Sequence, residues 1–323
     1  MDAQEVHGLR SSLAELFTRS RVQPETVTAA LRDLGWHEVV AEEPAAESLL
    51  FEEHGRANFV SRLLDDAVLA ALGLDGTDIA VAYPLAPCDT LFKPATAVHS
   101  SRLNVDAVLR CVGTKPKNIL VPTTTGLLLI PEPEVDMRIV AGIDPDGAWQ
   151  RVKSDLRVDA SWSVPLDAPW SFGVAIGRRL LAAELVGLAR AALDAAVAHV
   201  TTRSQFGRPI GSFQAVRFRL AEAKVAIESA TEAVRLAFAE PSPLASAVAK
   251  ALAGTAIDVT VRHAAQVCGA MGLTWEFPLH PVVRRGFVLD GLLGSAEELT
   301  LALGAHVTRS AELPQLDPLA VDA

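Results

Sequence analysis

The sequence predicts a mainly helical α+β fold with an N-terminal helical domain, a small middle β-domain and a C-terminal four-helix bundle. Apolar residues recur at helical spacing at both ends of the chain, whereas short strand-like runs separated by turn residues fill the middle. The 323 residues are enough for two or three packed units. The predicted boundaries are residues 1–78, 79–165, 166–310 and a flexible tail at 311–323.

The N-terminal zone shows helical periodicity throughout. A first apolar run starts at Leu9 and a second stops at Gly35, a residue type that favours helix ends. Stretches 49–59 and 63–72 continue the same spacing. We therefore expect several short helices in this zone.

The middle zone changes to short apolar runs of the length of strands. These runs cover residues 107–112, 118–121, 126–130 and 137–140, and proline, glycine and aspartate separate them. Strands at this regular spacing predict a small antiparallel barrel or sandwich.

The C-terminal zone returns to helical spacing from about Trp170. Residues 180–200 are apolar around most of a helix circumference, as expected for a helix buried between neighbours. Further helices at 212–239, 244–271 and 289–307 would complete a four-helix bundle, with Gly272 capping the third.

Composition limits the class of protein. With 50% hydrophobic and 21% charged residues the chain is globular, and its net charge of −10 disfavours binding to nucleic acid. Charged residues interrupt the apolar runs before a membrane span accumulates, and the first residues lack an apolar signal segment. A cytoplasmic protein is predicted. The spacing of Cys88, Cys111 and Cys268 suits neither disulfides nor zinc, so buried thiols are expected.

Other catalytic or metal-binding patterns do not emerge. His54, His263 and His280 lack the spacing of metal ligands, and core or capping roles are predicted for them. The sequence contains no Gly-x-Ser-x-Gly elbow and no phosphate-cradling glycine loop. Independent hydrolase chemistry is therefore not supported.

The most informative segment runs from Arg203 to Lys224 and reads RSQFGRPIGSFQAVRFRLAEAK. It combines an Arg-x-x-Phe-Gly turn after one long helix with a Pro-Ile-Gly-x-Phe-Gln start to the next. Segments 249–254 (AKALAG), 266–278 (QVCGAMGLTWEFP) and 292–297 (LLGSAE) follow in order. In these motifs the chain resembles the acyl-CoA dehydrogenase family. The motifs cover the C-terminal bundle, and the rest resembles the family in architecture only.

The resemblance implies that this chain contacts FAD held mainly by another subunit. The residues that it assigns to cofactor binding are Arg203, Phe206, Gln214, Gln266, Gly269 and Ala270. An arginine at a helix C-terminus often serves only the helix dipole, but a guanidinium can also hold a pyrophosphate with two hydrogen bonds. The Phe-Gly that follows Arg203 favours phosphate recognition. Ala270 replaces a glycine of the family pattern, which weakens the expected contact.

The catalytic base of the family is missing from its usual position. The resemblance places that glutamate at Leu293, which cannot accept a proton, and the alternative position used by some members falls at Gly177. Glu184 and Asp290 are the remaining nearby carboxylates. A solvated or salt-bridged surface role is predicted for both, so no catalytic residue is assigned to this chain.

The chain's own flavin site is predicted to be degenerate. Segments 83–90 and 111–116 replace the family stretches that contact the isoalloxazine. Thr90 or Thr114 could substitute, although ordinary turn hydroxyls are expected. Glu297 stands where the family usually has an uncharged amide, and a carboxylate beside a diphosphate is unfavourable.

These features resemble a short, degenerate subunit of the α2β2 acyl-CoA dehydrogenases of steroid-degrading actinobacteria. The resemblance implies a heterotetramer in which a full-length partner subunit supplies flavin seat and base, while Arg203 acts in trans on a bulky acyl-CoA reaction. The shortened N-terminal zone implies a truncated lid on the acyl site. Two alternatives stay open: a self-sufficient flavoenzyme using Glu184 or Asp290 as its base, and a non-catalytic scaffold.

Overall fold

The computed structural model of the chain describes residues 3–74, 76, 78–85, 98–99, 102–140, 142–164 and 169–310. Helices occupy both ends of this range and strands occupy the middle, as the sequence predicts. Cys88, Thr90 and the predicted flexible tail lie outside the described residues.

Five α-helices precede the first strand in the part of the chain that is described. They are α1 (Ala3–Arg19), α2 (Val27–Asp33), α3 (Trp36–Glu42), α4 (Ala46–Arg56) and α5 (Leu63–Ala71). Gly35 separates α2 from α3 with a φ of 69°, a left-handed conformation that favours glycine. The helical prediction for this zone is therefore confirmed.

The middle zone folds into two open sheets. Its strands are β1 (Ile79–Val81), β2 (Tyr83–Pro84), β3 (Val98–His99), β4 (Arg102–Arg110), β5 (Asn118–Thr123), β6 (Gly126–Pro131), β7 (Met137–Ile139), β8 (Trp149–Arg157) and β9 (Ser163–Val164). One sheet has the order β1-β5-β6-β9, and the other has the order β2-β4-β8-β7 with β3 also on β4.

A common apolar core takes side chains from both sheets, so the described strands resemble a sandwich and form no closed barrel. The expectation of a wholly antiparallel arrangement is wrong at one edge, because β1 pairs with β5 in parallel. The sequence pattern also misses β8, whose nine residues pair with β4 along its full length. Charged residues alternate with Trp149 and Val152 on β8, and this dilutes the apolar signal.

The C-terminal zone begins with the long helix α6 (Trp170–Thr202). A hairpin of β10 (Ser204–Gln205) and β11 (Arg208–Pro209) follows, and then α7 (Gln214–Ala239), α8 (Pro243–Cys268), α9 (Leu279–Gly291) and α10 (Ala296–Arg309). Helix α8 packs against α6, α7, α9 and α10, and α6 also packs against α4 and α5. The N-terminal helices and the bundle consequently share one apolar core.

Two details of the predicted bundle are wrong. The helix expected at 289–307 is broken at 292–295, because Leu293 and Gly294 have positive φ values of 57° and 104°. Helix α8 ends at Cys268 with Gly269 as its C-cap, three residues before the predicted cap at Gly272. In both places the apolar pattern of the sequence continues, but a residue with a positive φ ends the helix.

Two glycines bring α4 and α6 into direct backbone contact. A Cβ on Gly55 would lie 2.0 Å from the carbonyl oxygen of Glu184, and one on Gly187 would lie 1.9 Å from that of Glu52. No larger residue fits either position without separating the helices. This close approach places the side chain of Glu184 among residues of α4.

The structure bears on two expectations drawn from composition, one about the cysteines and one about membrane-spanning segments. Cys268 is buried, as predicted, but Cys111 is only half-buried, so the prediction of buried thiols is wrong for Cys111. By length and composition only, the segment Pro243–Gly272 is apolar enough to cross a membrane, although Lys250, Asp258 and Arg262 interrupt it. Most of it is buried within the bundle, and the core helix of a soluble protein passes the same test.

Candidate functional site

Leu293 and Gly177 meet in the interior of the protein. Leu293 is 2% exposed, and a Cβ on Gly177 would lie only 2.6 Å from its Cδ1 atom. The two positions at which the family resemblance expects a catalytic glutamate are therefore neighbours in space. Both lack a carboxylate, and the leucine side chain fills the space that they share.

The loop that carries Leu293 is fixed by two buried cations. Arg178 donates from Nε to the carbonyl oxygen of Leu293 at 2.8 Å. Lys250 donates from Nζ to the carbonyl oxygens of Asp290 at 2.7 Å and Gly294 at 3.2 Å. Burial lowers the pKa of Lys250 to about 8, although Asp290 opposes this shift. These contacts satisfy backbone carbonyls that the break between α9 and α10 leaves free.

The carboxylate of Asp290 has a structural role. It accepts hydrogen bonds from the backbone N–H of Ala296 at 3.1 and 3.3 Å, and its Oδ1 lies 3.5 Å from Nζ of Lys250. Asp290 thus caps the first turn of α10, where a negative charge is favourable. Its side chain is 24% exposed and salt-bridged, in agreement with a surface or near-surface role.

Glu184 is buried, so the predicted surface role for this residue is wrong. Its Oε1 atom lies 3.1 Å from Nδ1 of His54, and both side chains are almost fully enclosed. The contact is an ion pair when the imidazole is protonated, and it is not a well-aligned hydrogen bond. Burial raises the pKa of Glu184, but His54, Arg110 and Arg285 outweigh burial and hold the pKa below its usual value.

The Glu184 contact belongs to a buried polar cluster that joins the three zones of the chain. Arg110 of β4 stacks over the ring of Trp149, 4.4 Å from the centroid, and donates to the carbonyl oxygen of Ser61 at 3.2 Å. Arg285 of α9 donates to the carboxylate of Asp144 at 2.5 Å. Trp149 also donates to Asp144, at 3.0 Å. The cluster therefore connects the sheets to α9.

Arg203, the residue that follows α6, and Phe206, at the tip of the β10–β11 hairpin, are both exposed to solvent. Phe206 is 93% exposed, and positive φ values at Phe206 and Gly207 (54° and 78°) form its tight turn. Arg203, also exposed, makes no ion pair with any residue in the described ranges. The ring of Phe213 holds the hairpin, with Phe206 6.2 Å away edge-on and the guanidinium of Arg208 at 4.3 Å.

The other residues assigned to cofactor binding lie at the same end of the bundle. Gln214 is the first residue of α7, whereas Gln266, Gly269 and Ala270 lie at the end of α8, and all four are exposed. Helices α7 and α8 run antiparallel, and His263 on α8 contacts Glu222 on α7 at 3.1 Å. The predicted binding residues thus share one surface, and Leu293, Glu184 and Asp290 lie in the interior or beside it.

The exposed end of the bundle carries polar groups of the kind that bind a diphosphate. It offers the guanidinium of Arg203, the amides of Gln214 and Gln266, and the backbone of Gly269, where a Cβ would meet no atom within 4 Å. Thr114, by contrast, is an exposed turn residue after Gly113.

Sequence reasoning missed four residues of the interior. It did not identify Arg110, Arg178 and Lys250 as buried cations, and it did not identify His54 as the partner of Glu184. Charged residues inside apolar runs, such as Lys250 in AVAKALAG, were the available signal. His54 is indeed a core histidine, and the described residues contain no group that could hold a metal ion.

The sequence of this chain is similar to those of known proteins. The family profile "Acyl-CoA dehydrogenase, C-terminal domain" matches residues 171–307. The acyl-CoA dehydrogenase IpdE2 of Mycobacterium tuberculosis is 32% identical over 83% of this chain and 79% of its own length. IpdE2 of Mycolicibacterium smegmatis is 38% identical over a shorter stretch, 40% of this chain and 41% of that relative.

Two solved structures share the fold along nearly the whole chain. The "Tcur3481-Tcur3483 steroid ACAD G363A variant" superimposes with a TM-score of 0.73 at 22% identity, covering 94% of this chain and 98% of the other. A chain of the ChsE4-ChsE5 complex from Mycobacterium tuberculosis gives 0.71 at 18% identity, covering 97% and 99%.

Proposed function

Because the chain belongs to the acyl-CoA dehydrogenase family, we propose that it is a subunit of an FAD-dependent acyl-CoA dehydrogenase whose partner subunit supplies the catalytic base. The complex introduces an α,β double bond into a bulky, steroid-derived acyl-CoA. FAD bound in the complex supplies the acceptor for the hydride that leaves the substrate. This chain lends phosphate contacts in trans.

The observation that carries the proposal is the contact between Leu293 and Gly177. Neither residue can accept the α-proton of a thioester, and the alkyl side chain occupies their shared space. Glu184 faces His54, and Asp290 caps α10. A self-sufficient enzyme would need one of these two carboxylates free to meet a substrate, so their contacts argue against that alternative.

The exposed hairpin supports a role in trans. Arg203 and Phe206 point away from the chain's own core and leave the guanidinium available to another molecule. Gln214, Gln266 and Gly269 extend the same surface. A pure scaffold would have no need for an unpaired arginine beside a rigid aromatic tip, and it would tolerate the loss of Arg203.

The nature of the partner is argued from the structural relatives. One of them is the Tcur3481-Tcur3483 steroid ACAD, and the other is the ChsE4-ChsE5 complex. By analogy, a full-length acyl-CoA dehydrogenase subunit pairs with this chain in an α2β2 heterotetramer in the cytoplasm. The steroid character of the acyl group rests on the same analogy.

The flavin count of the purified complex tests the proposal. The chain is co-expressed with the dehydrogenase encoded beside it, the complex is isolated, and FAD absorbance is measured against protein concentration. We expect one FAD for each pair of chains, and a colourless preparation when this chain is purified alone. One FAD per chain, or stoichiometric FAD in a homo-oligomer of this chain, contradicts the proposal.

A further inference from the structure

The carboxylate of Asp65 is buried between α5 and the two sheets, and the residue is only 3% exposed. Its Oδ1 atom accepts a hydrogen bond from the hydroxyl of Tyr83 at 2.6 Å, and its Oδ2 atom accepts one from the backbone N–H of Val81 at 3.1 Å. Both donors are buried as well. Because Val81 lies on β1 and Tyr83 on β2, this one side chain ties α5 to both sheets.

In the part of the chain that the structure describes, no cation forms an ion pair with this carboxylate. Arg62, on the preceding turn, donates to the neighbouring Asp66 at 2.7 Å. Arg110 of β4 donates to the carbonyl oxygen of Ser61 instead. The thiol of Cys111 lies nearby, and burial raises its pKa to about 11, so it carries no charge near neutral pH. The nearby arginines therefore act on the buried carboxylate only at longer range.

Burial raises the pKa of Asp65 from 3.8 to about 6. The hydrogen bonds from Tyr83 and Val81 oppose this rise, and the charges of Arg62 and Arg110 oppose it more weakly. Burial, together with the charge of Asp65, also raises the pKa of Tyr83 well above its usual value, so the phenol keeps its proton. A proton taken up at this contact therefore binds to Asp65 itself.

A cavity of about 10 Å³ lies beside the carboxylate, lined in part by Asp65, Arg110, Cys111 and Thr114. This is about the volume that a single water molecule needs. The Nε and Nη2 atoms of Arg110 are buried and have no hydrogen-bond partner among the described residues, so a water molecule here has a donor to meet. An ionised carboxylate cannot gain a full hydration shell in this space while α5 stays in place.

We propose that Asp65 is a proton-operated latch that holds α5, and with it the N-terminal helices, against the two sheets. Protonated Asp65 is neutral and keeps Tyr83 as a hydrogen-bond partner, so the closed contact buries no charge. When the proton leaves, the closed contact buries a charge without an ion pair, whereas the open contact exposes that charge to water. Acidification therefore closes the latch, which is opposite to the effect of Glu184, whose ionised form stabilises the fold.

The pH range of the latch follows from the raised pKa of Asp65 in the folded state. A raised folded-state pKa contributes stability that is fully present below the unfolded-state pKa of 3.8 and is lost as pH rises through about 6. The equilibrium constant for opening the contact should therefore rise about fiftyfold between about pH 4 and pH 7.

Tyr83 makes proton binding measurable, because it is the only tyrosine in the sequence. Tyrosine labelled with ¹³C at the ring carbon that bears the hydroxyl gives one NMR resonance, which should shift in one transition near pH 6. Asp65→Asn keeps an acceptor oxygen but binds no proton, so it should lack the transition. Asp155→Asn is the matched control and should keep it, because Asp155 is exposed on β8 and pairs with Arg102.

Two outcomes of the titration overturn the proposal. Survival of the transition in Asp65→Asn would assign it to another titrating group. A wild-type resonance without a transition near pH 6 overturns the proposal whatever the variants do, so the test does not depend on how well Asp65→Asn folds.

Hydrogen exchange tests whether the proton moves the latch. The protection of the Val81 amide, corrected for the intrinsic exchange rate, should fall about fiftyfold between about pH 4 and pH 7 in the wild type relative to Asp65→Asn. The same pH dependence in both proteins, or a relative gain of protection in the wild type as pH rises, overturns the proposal. Both experiments use the full chain without partner or flavin, so their results are independent of its role in a dehydrogenase complex.

Discussion

A Cβ atom on Gly177 would lie 2.6 Å from Cδ1 of Leu293, so one small volume in the interior serves both residues. The two residues are 116 positions apart in the sequence, on α6 and in the loop before α10. Because the two positions share this volume, the same packing explains why neither of them carries a carboxylate. A side chain at one position excludes a large side chain at the other.

The first prediction concerns packing between these two residues. Gly177→Ala should lower the free energy of unfolding by about 1–3 kcal/mol, because the added methyl group overlaps Leu293 in a filled core. Gly304→Ala is the matched control on α10, since a Cβ there would meet no atom within 4 Å. The loss caused by Gly177→Ala should be smaller in a Leu293→Ala background than in the wild type, because the truncated side chain leaves room for the added methyl group. Denaturant unfolding measures all three, and equal effects of the two alanine substitutions at glycine would contradict the packing argument.

A second prediction follows from the buried pair of Glu184 and His54. Glu184→Gln should destabilise the protein by about 3–5 kcal/mol near neutral pH, because it leaves buried cations without their counter-charge. The pKa of Glu184 is depressed in the folded state, so its contribution is present above about pH 4.3 and is lost as pH falls through the folded pKa. The stability difference between wild type and variant should therefore shrink on acidification.

Glu222→Gln provides the control for this experiment. Glu222 is 67% exposed in its contact with His263, so its substitution should change the free energy of unfolding by no more than about 0.5 kcal/mol. Urea unfolding at a series of pH values gives both curves. A Glu184→Gln variant as stable as the wild type near neutral pH would show that the buried pair makes no net contribution.

The third prediction uses the buried amine of Lys250, whose pKa is lowered from 10.5 to about 8. Between these values the unfolded state binds more protons than the folded state, so this group makes stability rise with pH. Lys250→Met should abolish that rise, and Lys224→Met, at an exposed site paired with Glu228, should keep it. Measuring the free energy of unfolding of the three proteins between about pH 8 and pH 10 tests this prediction. A parallel pH dependence in wild type and Lys250→Met would contradict a depressed pKa.

The sequence predicted helices with a regular apolar pattern far better than it predicted the residues at which a helix is broken. Helical spacing located α6, α7 and most of α8, because these helices bury faces that repeat every three or four residues. It did not reveal the break at Leu293, where a non-glycine residue takes a left-handed conformation that Arg178 and Lys250 stabilise from distant helices. Such long-range hydrogen bonds leave no local pattern.

In the candidate site, too, the sequence predicted one feature and missed another. The motif around Arg203 predicted a turn between two long helices, and the glycine after Phe206 permits the tight hairpin that the structure shows. The enclosure of Glu184 could not be predicted, since it depends on Gly55 letting α4 approach α6. An acidic residue on a helix reads as a surface residue until the facing helix is known.

The last prediction separates a role in trans from a role within this chain, and it requires the complex with the partner subunit. Arg203→Ala should cause FAD to dissociate on dilution, because a charge-assisted hydrogen bond to phosphate contributes about 1.5–3 kcal/mol, or about one to two decades in affinity. Arg208→Ala is the matched control, since the guanidinium of Arg208 stacks on Phe213 of its own chain. Leu293→Ala should lower thermal stability through the cavity that it leaves, yet retain turnover when FAD is resupplied. Flavin fluorescence after dilution and steady-state kinetics measure the two effects. If Leu293→Ala abolished turnover while Arg203→Ala kept its flavin, the active site would have to lie within this chain.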